Sequence, residues 1–381
     1  MNRKSRISIL AVLALCLGVA VAWSPVPKKT SSLPDHADAV KKYLYVAVPG
    51  IRNYLEYGGH GILVYDMSDN YKLVKRIPTQ GFKADGTPSN VKGVAVSLAT
   101  NSIYITTLEA MQRIDLATEK VVWEKEYEGG CDRLSMSPDG KTIYLPSLEK
   151  DHWHVVDAKT GEVIKRVDTN SGAHNTLYGL DGTHVYLAGL RTPTLGVADT
   201  RSHTVIRQVG PFTKPVRPFT INGSQTRCYV NVNELLGFEV GDITTGKKLC
   251  RVEVAGFEKG PVKRHGCPSH GIGLTPDEKE VWLCDAFNQR LHIFDNTVMP
   301  PRRVASIEVW DQPGWITFSL DGRYAFPSTG EVIDVKTRKI LTTLKDEKGN
   351  RVMSEKMVEV HLNGKKAVKA GDQFGIGRVL R

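Results

Sequence analysis

Neither CxxC nor CxxCH occurs anywhere in this 381-residue chain. Their absence excludes a dithiol redox motif, a zinc site built from paired cysteines and a covalently attached c-type haem. Cysteine itself is scarce: of the six, Cys16 lies in an N-terminal apolar stretch, and Cys131, Cys228, Cys250, Cys267 and Cys284 make an odd set. Long apolar runs are missing too. After Val21 none reaches the roughly 20 residues a spanning helix needs, so no membrane span is expected. No run of Lys or Arg exceeds three, and the formal charge of +10 therefore reads as scattered surface charge, not as a nucleic-acid footprint.

What is present begins with an export pattern. Met1-Asn2-Arg3-Lys4-Ser5-Arg6 leads into an apolar stretch from Ile7 to Ala22, and Ala20-Val21-Ala22 supplies a small-x-small cleavage site. Residues 1–22 are expected to be a signal peptide, with delivery to the periplasm or cell surface. Leu15 before Cys16 makes a poor lipobox and argues against lipidation. Loss of Arg3, Lys4 and Arg6 takes the formal charge from +10 to +7. Export permits one or two disulfides, and Cys267 and Cys284 are expected close together, as a pair or as two thiols.

The remaining chain repeats itself. Ser137-Pro138-Asp139-Gly140-Lys141-Thr142-Ile143-Tyr144-Leu145 recurs as Thr275-Pro276-Asp277-Glu278-Lys279-Glu280-Val281-Trp282-Leu283, and again around Ser319-Leu320-Asp321-Gly322, Gly179-Leu180-Asp181-Gly182 and Asn222-Gly223-Ser224. Each copy predicts a hairpin: an apolar strand, an Asp-Gly-type turn, then a strand of aromatic and β-branched residues. A third strand ending in Asp follows, as in Val155-Val156-Asp157-Ala158-Lys159-Thr160-Gly161, Ile114-Asp115, Ala198-Asp199, Phe294-Asp295 and Ile333-Asp334. Four antiparallel strands every 40 to 53 residues, with no helical period of 3.6, predict an all-β propeller.

On these residues the chain resembles the YVTN-type β-propeller repeat family, whose consensus joins a Ser-Pro-Asp-Gly hairpin to a Tyr-Val-Thr-Asn-like second strand and an Ile-Asp-x-x-Thr third strand. Tyr45-Val46-Ala47, Tyr104-Ile105-Thr106, Tyr144-Leu145-Pro146, Tyr186-Leu187-Ala188 and Tyr229-Val230-Asn231 match its second strand in frame. The resemblance spans nearly the whole mature chain and implies a scaffold, not a reaction.

Six inner strands are predicted: 93–97, 133–137, 175–179, 218–222, 271–275 and 315–319. Blade one starts at its second strand, Tyr43 to Pro49, so a seven-bladed ring needs an inner strand from the C-terminus to remove the open edges. Gln373-Phe374-Gly375-Ile376-Gly377-Arg378-Val379 echoes Ser269-His270-Gly271-Ile272-Gly273-Leu274-Thr275 and is assigned that closing role. The resulting organisation is a signal peptide at 1–22, an N-terminal extension at 23–42 and a propeller at 43–381 with a hairpin insertion near 352–370.

Residues just before inner strands crowd one end of a propeller's channel. In register these are Phe374, Lys92, Asp132, His174, Arg217, His270 and Gly314. Loops on the same face add His60, Arg191 and Asp285, which with Lys92 and Asp132 are candidate ligand-binding residues. His174 and His270 are candidate catalytic residues or ligands of a divalent metal, with Arg217 holding a carboxylate, because imidazole suits both tasks. The function expected first is a binding or scaffold module, or a cofactor-free subunit of an exported complex, meeting a protein partner or an anionic small molecule or polymer. The alternative is a lyase in which His174 or His270 takes a proton from an anionic substrate and Arg217 or a metal stabilises the charge that develops. A haem- or quinone-bearing propeller is disfavoured by the lack of haem attachment and of Trp-rich repeats, and nucleic-acid binding, which is not expected, would need Tyr54, Tyr57, Phe287 and Trp315 to stack beside a basic groove at Arg52 and Lys92.

Overall fold

A computed structural model describes residues 40–380. The predicted signal peptide, Cys16 and most of the extension fall outside the described residues. From Lys41 to Ala370 the chain forms 29 strands in seven antiparallel sheets, six of four strands and one of five, arranged as the blades of a propeller. No helix among them is long and apolar enough to cross a membrane.

The repeated turn explains the repeated motif. The Ser137 hydroxyl donates to Asp139 Oδ1 at 2.6 Å and accepts from the Thr142 N–H at 2.9 Å, while Gly140 takes φ +72°, where a side chain would be strained. Ser319 with Asp321 and Thr275 with Asp277 repeat the arrangement. The third-strand motif is an Asx turn. Asp157 Oδ1 accepts from the Thr160 N–H at 2.8 Å and its hydroxyl at 3.0 Å, and Asp115, Asp199 and Asp334 do the same with Thr118, Ser202 and Thr337.

The tyrosines of the second strands link neighbouring blades. Tyr104 is buried and its hydroxyl donates to the Ala158 carbonyl of blade three at 2.6 Å, and Tyr186 reaches Gln225 of blade five. A large apolar body between sheets, with its polar tip satisfied on the next blade, is the packing that this strand position requires. The core is accordingly a ring of clusters between blades, such as Leu177, Tyr186, Phe219 and Val230 between blades four and five.

Closure is made by a C-terminal strand, as expected, but by a different one. Met357–Asn363 pairs antiparallel with Lys41–Val48, with Val358 opposite Tyr45 and Val360 opposite Tyr43, and Lys366–Ala370 pairs along its other side. The segment assigned to closure, 373–379, instead runs along the channel axis, touching the inner strands of five blades. Gln373 accepts from the Val94 N–H and donates to the Leu134 carbonyl; its own carbonyl accepts from the Trp315 indole at 2.6 Å. The Phe374 carbonyl accepts from Thr317, the Gly375 carbonyl from Thr220, and the Gly377 N–H donates to Ile221. The echo between Gly375-Ile376-Gly377 and Gly271-Ile272-Gly273 has a steric cause. Gly375 and Gly273 form a parallel bridge so close that a Cβ on Gly375 would sit 2.8 Å from the Gly273 Cα. The two segments share glycines because they pack against each other, not because they play the same part.

Of the two alternatives for the cysteines the structure has the thiols: all five described cysteines are free. Cys267 and Cys284 are buried in separate packing, and burial pushes the Cys267 thiol up to about 12.

Candidate functional site

With the closing strand placed at Met357–Asn363, the residue preceding it is Lys356, which takes the ring position given to Phe374. The ring is then Lys356, Lys92, Asp132, His174, Arg217, His270 and Gly314, each just before an inner strand or, for His174 and Arg217, at the second residue of one. All but Asp132 and Gly314 line one cavity of about 690 Å³ at that end of the channel. Its other walls come from loops: Arg52, Asn53, Lys83, Glu149, Lys150, Arg264, His265 and Glu355, together with Arg133.

Charge is what sets this cavity apart. Four lysines (Lys83, Lys92, Lys150, Lys356) and four arginines (Arg52, Arg133, Arg217, Arg264) face two carboxylates, Glu149 and Glu355. Two further acids pair with lining cations: Asp311 lies 3.1 Å from Arg264, and Asp132, in the wall, has His174 Nδ1 at 2.6 Å from Oδ2 and Lys92 Nζ at 3.2 Å from Oδ1. Burial alone would raise the Asp132 carboxyl, but His174 and Lys92 outweigh it and hold it at about 2. A negative Asp132 fixes the His174 ring with Nδ1 as the proton-bearing nitrogen and leaves Nε2 to face away from the pair.

At the bottom of the cavity a second buried network centres on Glu355. Arg133 Nη2 donates to Oε2 at 2.7 Å, Lys356 Nζ lies 2.9 Å from the same oxygen, and His265 Nδ1 lies 3.2 Å from Oε1. The Arg133 guanidinium crosses from blade three to lie 3.5 Å above the Trp315 ring of blade seven. His265 stacks on His270 with centroids 4.8 Å apart, and each passes one ring nitrogen to a backbone carbonyl, Gln312 and Gly314 respectively. Burial, and then the adjacent His265, push His270 well below its ordinary value, so it is neutral at pH 7. Burial raises Glu355, but Lys356, His265 and Arg133 prevail and keep it ionised. Lys356 is pulled down to about 7, by burial first and with Arg133 and Lys92 adding to it, while Glu355 opposes.

The predicted residues thus divide. Lys92, His174, Arg217 and His270 share the cavity, and Asp132 supports it. His174 and His270 have separate partners and are not a bonded pair, while Arg217 is held by Asn233 and by the Gly266 carbonyl. Three candidates do not line the cavity. Arg191 is tied to Asp151 at 2.7 Å on the outside, His60 rests on Phe82 and Thr79, and Asp285 is buried against His292 and Asn288. Seven charged or imidazole residues of the cavity escaped the sequence reading: Lys83, Arg133, Lys150, Arg264, His265, Glu355 and Lys356. Lys356 was legible in principle, since Met357-Val358-Glu359-Val360-His361-Leu362 alternates as an inner strand does. His265 and Glu355 lie in loops with no periodicity to place them.

No protein-family model matches the chain, and no curated protein does. Among solved structures, a chain of hydrazine synthase from Kuenenia stuttgartiensis is similar, with a TM-score of 0.58 and 14% identity over 74% of this chain and 88% of that one. At that identity the likeness is one of fold.

Proposed function

We propose that this chain is an exported propeller, akin to the YVTN-type repeats, that works as a binding module or cofactor-free subunit of a periplasmic or cell-surface complex and takes an anionic partner at its channel mouth. One observation carries the reading: eight basic side chains against two carboxylates around a single concave cavity. Like charges held in a partly desolvated concavity focus a positive potential, which draws in and orients an anionic group and repels cations. The fold supplies the rigid ring that holds such a constellation, and the likeness to a hydrazine synthase chain carries no activity over to this one.

Titration calorimetry of the chain with poly-glutamate, heparin and poly-lysine tests this. Binding of a polyanion but not of poly-lysine, weakened at least about tenfold in a Lys92→Met/Arg217→Met double variant, is the expected result. Equal binding of both polymers, or no loss in the variant, would overturn it.

The His174–Asp132 pair favours a second reading, a lyase acting on an anionic substrate. A buried carboxylate 2.6 Å from one imidazole nitrogen orients the other as a base, and cations nearby would stabilise an enolate-like intermediate. Under this reading His174→Ala abolishes turnover of a uronate-containing polymer while leaving its binding intact; turnover unchanged in the variant would end it.

A further inference from the structure

Arg133 is 96% withdrawn from solvent, being 4% exposed, yet its Nη1 has no hydrogen-bond partner. The other nitrogens are used: Nη2 on Glu355, Nε toward the Lys92 carbonyl at 3.4 Å, and the face of the group on Trp315. The guanidinium therefore cannot turn to satisfy the remaining donor, and it lines the cavity. An unsatisfied donor on a buried cation is costly unless something in the cavity accepts from it.

Charge balance points the same way. Glu355 is a single negative charge shared by Arg133, Lys356 and His265, and both of its oxygens are taken. His265, His270 and Glu355 offer one ligand atom each within 4.8 Å of one another, a spacing that invites comparison with a metal site. A divalent cation there would have to take Oε1 from His265 and sit beside the Arg133 and Lys356 groups that hold Oε2. The electrostatics of the floor disfavour it.

We propose that the floor of the cavity is a subsite for one oxoanion group, a carboxylate or a phosphate, which accepts from Arg133 Nη1 and from Lys356 Nζ. This rests on the anion-binding reading above and names the group recognised. Lys356 explains how the subsite adapts. Its Nζ already gives hydrogens to the Gly50 carbonyl at 2.8 Å and to Glu355 Oε2, which a neutral amine can do with both of its hydrogens. The groups facing it are Glu355 beside it, Arg133 from blade three and Lys92 from blade two. Without ligand, the two cations oppose its protonation. An arriving anion offsets them, so the amine takes up a proton and donates its third hydrogen to the ligand.

The test uses acetate and sulfate as planar and tetrahedral probes, sulfate fully and acetate predominantly ionised across the range. Calorimetry at pH 8 in buffers of differing ionisation enthalpy reads protons taken up per anion bound. Uptake approaching one proton at pH 8 and near zero at pH 5.5, lost in Lys356→Met, is expected, along with an affinity at least about tenfold weaker in Arg133→Lys, which keeps the charge but not the Nη1 donor. Tighter acetate would mark a carboxylate subsite, tighter sulfate a phosphate one. The wild-type proton count does not depend on either variant folding. Polyanion binding at the mouth with no acetate or sulfate binding, or zinc binding in place of either probe, would overturn the subsite and leave the broader reading standing. Failure of every anion would overturn both.

Discussion

Asp132 and Lys356 occupy equivalent places before their inner strands, and their neighbours displace them in ways that pH can read. Asp132, held at about 2 by His174 and Lys92 against its burial, keeps a charge that an unfolded chain would lose near pH 4. Its contribution is present at neutral pH and is lost as pH falls from about 4 toward 2. Asp132→Asn is expected to cost about 3 kcal/mol at pH 7, because it takes the buried carboxylate away from Lys92 and His174, and to cost little near pH 2. Urea melts of the two proteins at both values check this. Lys356 gives a slope of the same sign in a higher window, from the opposite cause: the fold disfavours its charged form. Its amine is lowered to about 7, so between there and the ordinary lysine range the unfolded chain holds a proton that the folded chain does not. Stability should rise with pH across that window, and Lys356→Met should remove that part of the slope. Parallel melts at pH 7 and 9.5 measure it, and an unchanged slope would mean that Lys356 is charged in the fold.

The two C-terminal elements do different work, and truncation separates them. A chain ending at residue 351 lacks Met357–Asn363 and leaves Lys41–Val48 with an open edge, so it is expected to aggregate or stay unfolded. A chain ending at residue 370 keeps the closing strand and should remain a folded monomer-sized ring in size exclusion and circular dichroism. It should be weaker by about 4 kcal/mol, since Phe374 and Ile376 lose their burial. If the second chain also failed to fold, 373–379 would be part of closure after all. Within this segment Gly375→Val is expected to lose about 2 kcal/mol through overpacking against Gly273 and Phe318, read as a lower midpoint in denaturant.

For the molecule as a whole, the cationic mouth predicts salt dependence of two kinds. Exposed rim groups such as Arg52 and Lys150 act through water, and their contribution should fade once the Debye length drops below about 8 Å, above physiological ionic strength. The buried floor around Arg133 is screened far less. Polyanion affinity should therefore fall steeply between 0.05 and about 0.5 M salt while acetate or sulfate affinity changes little. Parallel falls for both ligands would place the small anion at the rim. Only the ring produces this distinction, since it alone brings blades two to six and the closing strand around one cavity.

The residues alone determined the all-β class and the seven-blade count, because Asp-Gly hairpins, Asx turns and strand alternation are local: the turn around Ser137 and Asp139 needs only neighbours in sequence. The ring positions Lys92, Asp132, His174, Arg217 and His270 followed from that register. Local pattern could not separate a strand that completes a blade from a segment that packs against one, since Gly-Ile-Gly serves both Gly271–Gly273 and Gly375–Gly377. Tertiary structure decided that difference through pairing with Tyr43 and Tyr45, and with it the place of Lys356. It also decided the free edge of Arg133 and the sharing of Glu355, because both depend on side chains meeting across a channel from residues more than 200 positions apart.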